Sequence, residues 1–195
     1  MEEVKYQRFV FKEVQSIEVS IKVLDGYNKT RFSRKKNKDE NTLLEAAKFA
    51  HDNELIYFAT VIENENPFAH LEINKAFFRV YFLDELNRNY MSYDFIGKSD
   101  LIDWQKEILE NKLFLSTVNV WEFNKENEKA FKTFSYIFKP NGQVTVVERN
   151  LLTNEQITSE AKDKIDVSAN WEDYPEFGAY KNLIKKERGI KSLTV

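Results

Sequence analysis

The chain has 195 residues, 42% of them apolar and 31% charged, with a formal net charge of −3 and no cysteine. That length and balance describe a folded domain large enough to bury a core, and they exclude a disordered chain. The missing thiols exclude a disulfide framework, a Cys-ligated zinc site and a cysteine nucleophile, while the slightly acidic balance argues against a nucleic-acid binder.

Sixteen Phe and nine Tyr make ring packing the expected basis of the core. In chain order, Tyr6, Phe9 and Phe11 suggest a first strand. Ile17, Val19, Ile21 and Val23 alternate with polar residues, as a half-buried strand does. Lys29 to Lys38 carries six basic residues and no acid, and reads as an exposed loop. Thr42-Leu-Leu-Glu45 is a capping box, and Leu43, Ala46, Ala47 and Ala50 follow at helical spacing, so a helix is expected over Thr42 to Asn53. Leu55 to Ile62 is an apolar β-forming run, closed by Asn64 to Pro67.

Phe77 to Leu83 and Tyr90 to Phe95 flank the polar turn Asp84 to Asn89 and predict a hairpin. Ser99 or Asp100 caps a short expected helix with Leu101, Trp104 and Ile108 on one face. Leu113 to Phe123 reads as a strand. Phe134 to Phe138 and Val144 to Val147 form a second hairpin around Asn141-Gly142. Ile157 lies in a further strand candidate. A last helix is expected from Pro175 to Gly189, with Phe177, Tyr180, Leu183 and Ile184 as its apolar stripe and Lys185, Lys186 and Arg188 in its last turn. The expected fold class is therefore α+β: a mainly antiparallel sheet of hairpins with about three helices. Residues 1–195 are read as a single globular domain, with 1–66 and 67–195 as possible sub-lobes.

Catalytic motifs are sparse. The two histidines, His51 and His70, could serve a His/His/Lys ribonuclease centre with Lys75 only if the fold joined them. The commoner reading is a helix-end histidine and a loop histidine. Glu172, Asp173 and Glu176 cluster around Trp171 and Tyr174, as the acids of a glycosidase pair do, but acids near a helix start more often stabilise its dipole. Phe32 and Tyr27 beside the basic run could stack on bases, yet Asp39 to Asn66 holds seven acids against one lysine. No acid spacing suits a hard cation, and no cofactor or metal is expected. The opening Met-Glu-Glu-Val-Lys-Tyr-Gln lacks a basic n-region and an apolar run, so no signal peptide is expected. No stretch reaches the ~20 apolar residues of a span. The expected location is cytoplasmic; the oligomeric state is not legible.

Four stretches carry a resemblance. They are Phe78-Arg-Val-Tyr-Phe-Leu-Asp-Glu85 with Tyr90-Met-Ser-Tyr-Asp-Phe95, Lys112-Leu-Phe-Leu115, Phe138-Lys-Pro-Asn-Gly142, and Asp166-Val-Ser to Arg188. Together, over residues 70 to 190, they resemble immunity proteins of bacterial polymorphic-toxin and contact-dependent inhibition systems. The resemblance implies a non-enzymatic protein that binds one cognate toxin domain, in many such systems a nuclease, and blocks its active site. On it, Trp171, Glu172, Asp173, Tyr174 and Glu176 become the toxin-binding candidates, with acids steering encounter and rings anchoring the complex. The alternatives are a carboxylate-based hydrolase and a small regulatory protein-binding module.

Overall fold

A computed structural model of the protein describes residues 3–7, 42–99, 105–106, 108–124 and 129–188. The expected strand at 17–23, Phe9 and Phe11, the basic run 29–38, Leu101, Trp104 and Gly189 lie outside the described residues.

Among the described residues ten strands form one antiparallel sheet. In chain order they are β1 (Glu3–Gln7), β2 (Tyr57–Glu63), β3 (Asn66–Asn74), β4 (Phe77–Leu83), β5 (Asn89–Ile96), β6 (Lys112–Phe123), β7 (Ala130–Phe138), β8 (Val144–Asn150), β9 (Gln156–Glu160) and β10 (Trp171–Asp173). β1 to β9 lie side by side in sequence order. Phe114 pairs with Ile96 on one side and Trp171 on the other, so β10 occupies the edge of β6 that β7 leaves empty before Thr117. The one α-helix among the described residues, α1 (Thr42–Asp52), matches its expected span within a residue.

The expected three helices are a correction. The segment from Pro175 onward forms successive turns instead, closed by Ala179 N–H to Glu176 O, Leu183 N–H to Tyr180 O and Ile184 N–H to Tyr180 O. Gly178 sits at φ +85°, a left-handed conformation that ends helical growth before it starts. Tyr180, Leu183 and Ile184 are buried all the same. Spacings of three and four residues align side chains in turns as they do in a helix. The chain over 99–108 shows only a 3-10 step at Gln105–Lys106 among its described residues, although Ile108 is buried as expected.

β3 was not expected from the sequence. It follows β2 through Asn64 and Glu65, both at positive φ, which gives a two-residue hairpin turn without glycine. The stretch 64–68, the candidate sub-lobe boundary, is thus the turn and first pairing of a hairpin.

Register fixes the faces. Ala59, Leu71, Val80, Tyr93 and Val118 are aligned across five strands on the core face, with Phe78, Phe82 and Phe95 beside them. α1, through Ala47 and Ala50, and the turns carrying Tyr180, Leu183 and Ile184 pack on that face. The opposite face carries the row Thr60, His70, Tyr81, Ser92, Asn119 and Ser135. Neighbours in this row are hydrogen-bonded: Thr60 Oγ1 to His70 Nδ1 at 2.7 Å, Asn119 Nδ2 to Ser92 Oγ at 3.1 Å, and Ser135 Oγ to Asn119 Oδ1 at 2.7 Å. In the adjacent row Arg79 grips Asp94 with two nitrogens, at 2.5 and 2.8 Å.

Candidate functional site

The end of α1, the β3–β4 turn, the chain after β5, the turn before β6 and the residue after β10 meet around a cleft of about 530 Å³. Its lining includes His51, Glu54, Lys75, Lys98, Glu110 and Tyr174. Gly97 makes the close approach possible, since a Cβ there would stand 2.8 Å from the Lys75 carbonyl. Asn111, at φ 59°, accepts the Tyr174 N–H on its carbonyl at 2.8 Å and so fixes the ring at the cleft.

An aromatic cluster reaches the cleft through His51 and Tyr174. Tyr174 stacks on His51 with centroids 5.7 Å apart, and His51 Nδ1 meets the Tyr57 hydroxyl at 2.8 Å. Tyr57 in turn meets the Tyr180 hydroxyl at 3.1 Å. Phe177 lies edge-on to His51 and stacks on Tyr6 at 4.7 Å. Burial lowers the His51 pKa, against the pull of Asp52, which keeps the ring neutral at neutral pH. Burial raises the Tyr57 phenol strongly, with Tyr180 adding to it. Tyr174 is pushed up to about 12 by burial and then by Tyr180 and Glu54. The Tyr57 and Tyr174 phenols stay protonated, so the cluster offers neutral rings and hydrogen bonds.

The rim is charged and paired: Lys75 with Glu54 at 2.5 Å, Lys98 with Glu110 at 2.8 Å and Lys112 with Asp173 at 2.5 Å. Glu54 raises the Lys75 pKa through its hydrogen bond and charge, and Lys98 lowers that of Glu110 in the same way. Exposed pairs of this kind, screened by water, contribute little to stability. Their charges can therefore be redirected to a partner at small cost.

The five residues singled out from the sequence do not share one surface. Strand alternation separates the acids of β10. Glu172 pairs with Arg188 at 2.8 Å, and the Arg188 side chain is 2% exposed. Arg188 also donates to the Asn182 carbonyl and lies over the rings of Phe95 and Tyr93. Glu172 is thus an internal anchor for the last turns. Trp171 packs on Phe114 at 4.8 Å. Tyr174 lines the cleft, and Asp173, with 81% of its side chain exposed, sits outside the lining and pairs with Lys112 of it, while Glu176 is exposed near them in sequence. Of the His/His/Lys set, His51 and Lys75 both line the cleft, but His70 lies on the opposite face of the sheet beside Thr60. The roles of His51 and Arg188 were missed. Their sequence positions read as helix-end cations, and only the fold carries them into the aromatic cluster and the core.

Among the described residues no group of three or more His, Asp or Glu is placed to hold a metal ion, and no helix is long and apolar enough to cross a membrane. No known protein family matches the chain, and no curated protein does. One solved structure is similar at 16% identity: a mutant of S. aureus TarM in complex with fondaparinux, alpha-GlcNAc-glycerol and UDP. The match covers 75% of this chain and 32% of that one, with a TM-score of 0.25. The chain thus spans about a third of that protein's length, and a likeness this slight carries no argument about fold or function.

Proposed function

We propose that the chain is an immunity protein, which neutralises a cognate bacterial toxin domain by covering it stoichiometrically with the His51–Tyr174 cleft and its rim. The observation that carries the reading is the combination at this cleft. An aromatic cluster that reaches the cleft through His51 and Tyr174, with hydrogen bonds among neutral groups behind it, is ringed by exposed acids and lysines whose mutual pairing is weak. An interface needs this division of labour. Rings supply the desolvated anchor, and charges at the rim set encounter and register. Tyr174 is the anchor, and Asp173, Glu54 and Glu110 are the acids offered to a basic partner. Glu176 extends the acidic side.

The test is co-expression with the toxin domain encoded beside this gene. Protection of the cells, and a complex of equal stoichiometry, are expected. Asp173→Lys should slow association and Tyr174→Ala should speed dissociation. If the wild-type protein forms no complex with that domain and leaves the cells unprotected, the reading fails.

A further inference from the structure

The exposed edge of the sheet points to a second interaction surface. β9 is the last strand of the path, and its one partner among the described residues is β8. Two flanking hydrogen bonds, Asn150 N–H to Glu155 O and Ala161 N–H to Val144 O, set its phase. In an antiparallel ladder bonded residues alternate, so Ile157 and Ser159 spend their backbone groups on β8. The N–H and C=O groups of Gln156, Thr158 and Glu160 point away from the sheet.

An open edge is ordinarily guarded by lysine, proline or a bulge. β1, at the other end, carries the exposed charges Glu3 and Lys5. β9 reads Gln-Ile-Thr-Ser-Glu, with Glu160 its one exposed charge and neither lysine nor proline, runs against β8 without a register shift, and leaves Ile157 62% exposed.

We infer that β9 pairs with β9 of a second copy of this chain, antiparallel, about a two-fold axis at Thr158. The pattern of the strand selects this occupant. With Thr158 opposite its copy, Gln156 faces Glu160 of the other protomer and Glu160 faces its Gln156. Every outward N–H and C=O of the three residues then meets a partner in phase. No like charges stand opposite each other, because Glu155 falls opposite Ala161. Thr opposite Thr is a favourable cross-strand pair, and on the core face the two Ile157 side chains become diagonal neighbours, sheltering apolar surface that is open in one protomer. The interaction is separate from the toxin cleft, which is built on α1, the β3–β4 turn and the start of β6.

Sedimentation of the full chain over a wide concentration range tests it. A reversible monomer–dimer equilibrium is expected. Gln156→Lys places opposite charges face to face twice and should tighten the dimer roughly two- to thirtyfold, while Gln156→Glu should loosen it by a similar factor. Thr158→Pro removes an outward donor without touching a β8 bond and should give a monomer. Circular dichroism and the unfolding midpoint identify variants that remain folded. A wild-type chain that stays monomeric up to millimolar concentration overturns the inference. So does a dimer whose affinity ignores the sign of the charge at position 156 in folded variants.

Discussion

β4 and β5 can be set beside β7, β8 and β9. In the first pair alternation places Phe78, Val80, Phe82, Tyr93 and Phe95 on the core face, where Tyr180 and Arg188 of the last turns pack on Phe78, Tyr93 and Phe95, and places Tyr81, Ser92 and Asp94 in a hydrogen-bonded network on the other face. In the second group the same alternation continues, with Phe134, Tyr136, Val146 and Ile157 on the core side. Yet in these three strands Phe138 and Val144 alone are buried. The difference is cover. A ladder of backbone hydrogen bonds extends a sheet past its core, but apolar side chains gain their transfer free energy only where another element lies over them. The first region is the packed centre of the fold, and the second joins it through Phe138 and Val144, with Tyr136 and Val146 half-buried against it.

The largest effect should separate the two regions at once. Phe95→Ala removes a fully buried ring that contacts Phe78 and Tyr93, and should cost about 3–5 kcal/mol. Phe134→Ala, on the same face in β7, should cost about 1 kcal/mol, because its ring is half exposed. Urea unfolding of both variants checks the ratio. Equal losses would mean that β7 to β9 belong to the same packed core.

Arg188 ties the last turns to the packed region. Arg188→Ala strands Glu172 without its cation and empties the space over Phe95, so a loss of about 3 kcal/mol is expected. Glu172→Gln with Arg188→Met should recover part of it, since the pair is then removed as a unit. A loss from Arg188→Ala no larger than that of an exposed lysine would show that these turns do not stabilise the sheet.

The polar face predicts a pH dependence. Burial lowers His70 from 6.5 to about 4, so the folded protein holds this ring neutral. Between those values the unfolded chain binds a proton that the folded one does not. Stability is therefore full above pH 6.5, falls as the pH drops toward 4, and loses on the order of 3 kcal/mol from this residue. His51, also lowered by burial, acts in the same direction. His70→Gln should flatten most of the slope between pH 6.5 and 4 in unfolding midpoints. An unchanged slope would assign the effect elsewhere.

What was legible in the sequence follows the same division between local and distant causes. The capping box gave α1, two β-rich runs around a polar turn gave β4 and β5, and Asn141-Gly142, with Gly142 at φ +85°, gave the β7–β8 turn. These signals are local. β3 was hidden because Asn64-Glu65 turns without glycine and Pro67 reads as a break, although Ala69, Leu71 and Ile73 do alternate. The last helix failed because side-chain spacing says nothing of backbone continuity, which Gly178 interrupts. The site was half legible. Asp173 and Tyr174 were visible as chemistry, but Lys112, sixty-one residues from Asp173, reaches it only through the pairing of β10 with β6.

The smallest effects belong at the outer end of the sheet. Leu152, in the turn between β8 and β9, is 77% exposed. Its N–H bonds to the Asn150 side chain, so the turn is held by Asn150 rather than by the leucine. Leu152→Ser should therefore change stability by no more than about 0.5 kcal/mol. Asn150→Ala, which frees the N–H groups of Leu152 and Thr153 together, should cost more, about 1 kcal/mol. The order of these two variants matters more than their size. An apolar residue that weighs less than its polar neighbour marks a surface whose shape is set by hydrogen bonds. A reversed order would mean that Leu152 is covered by another surface in solution.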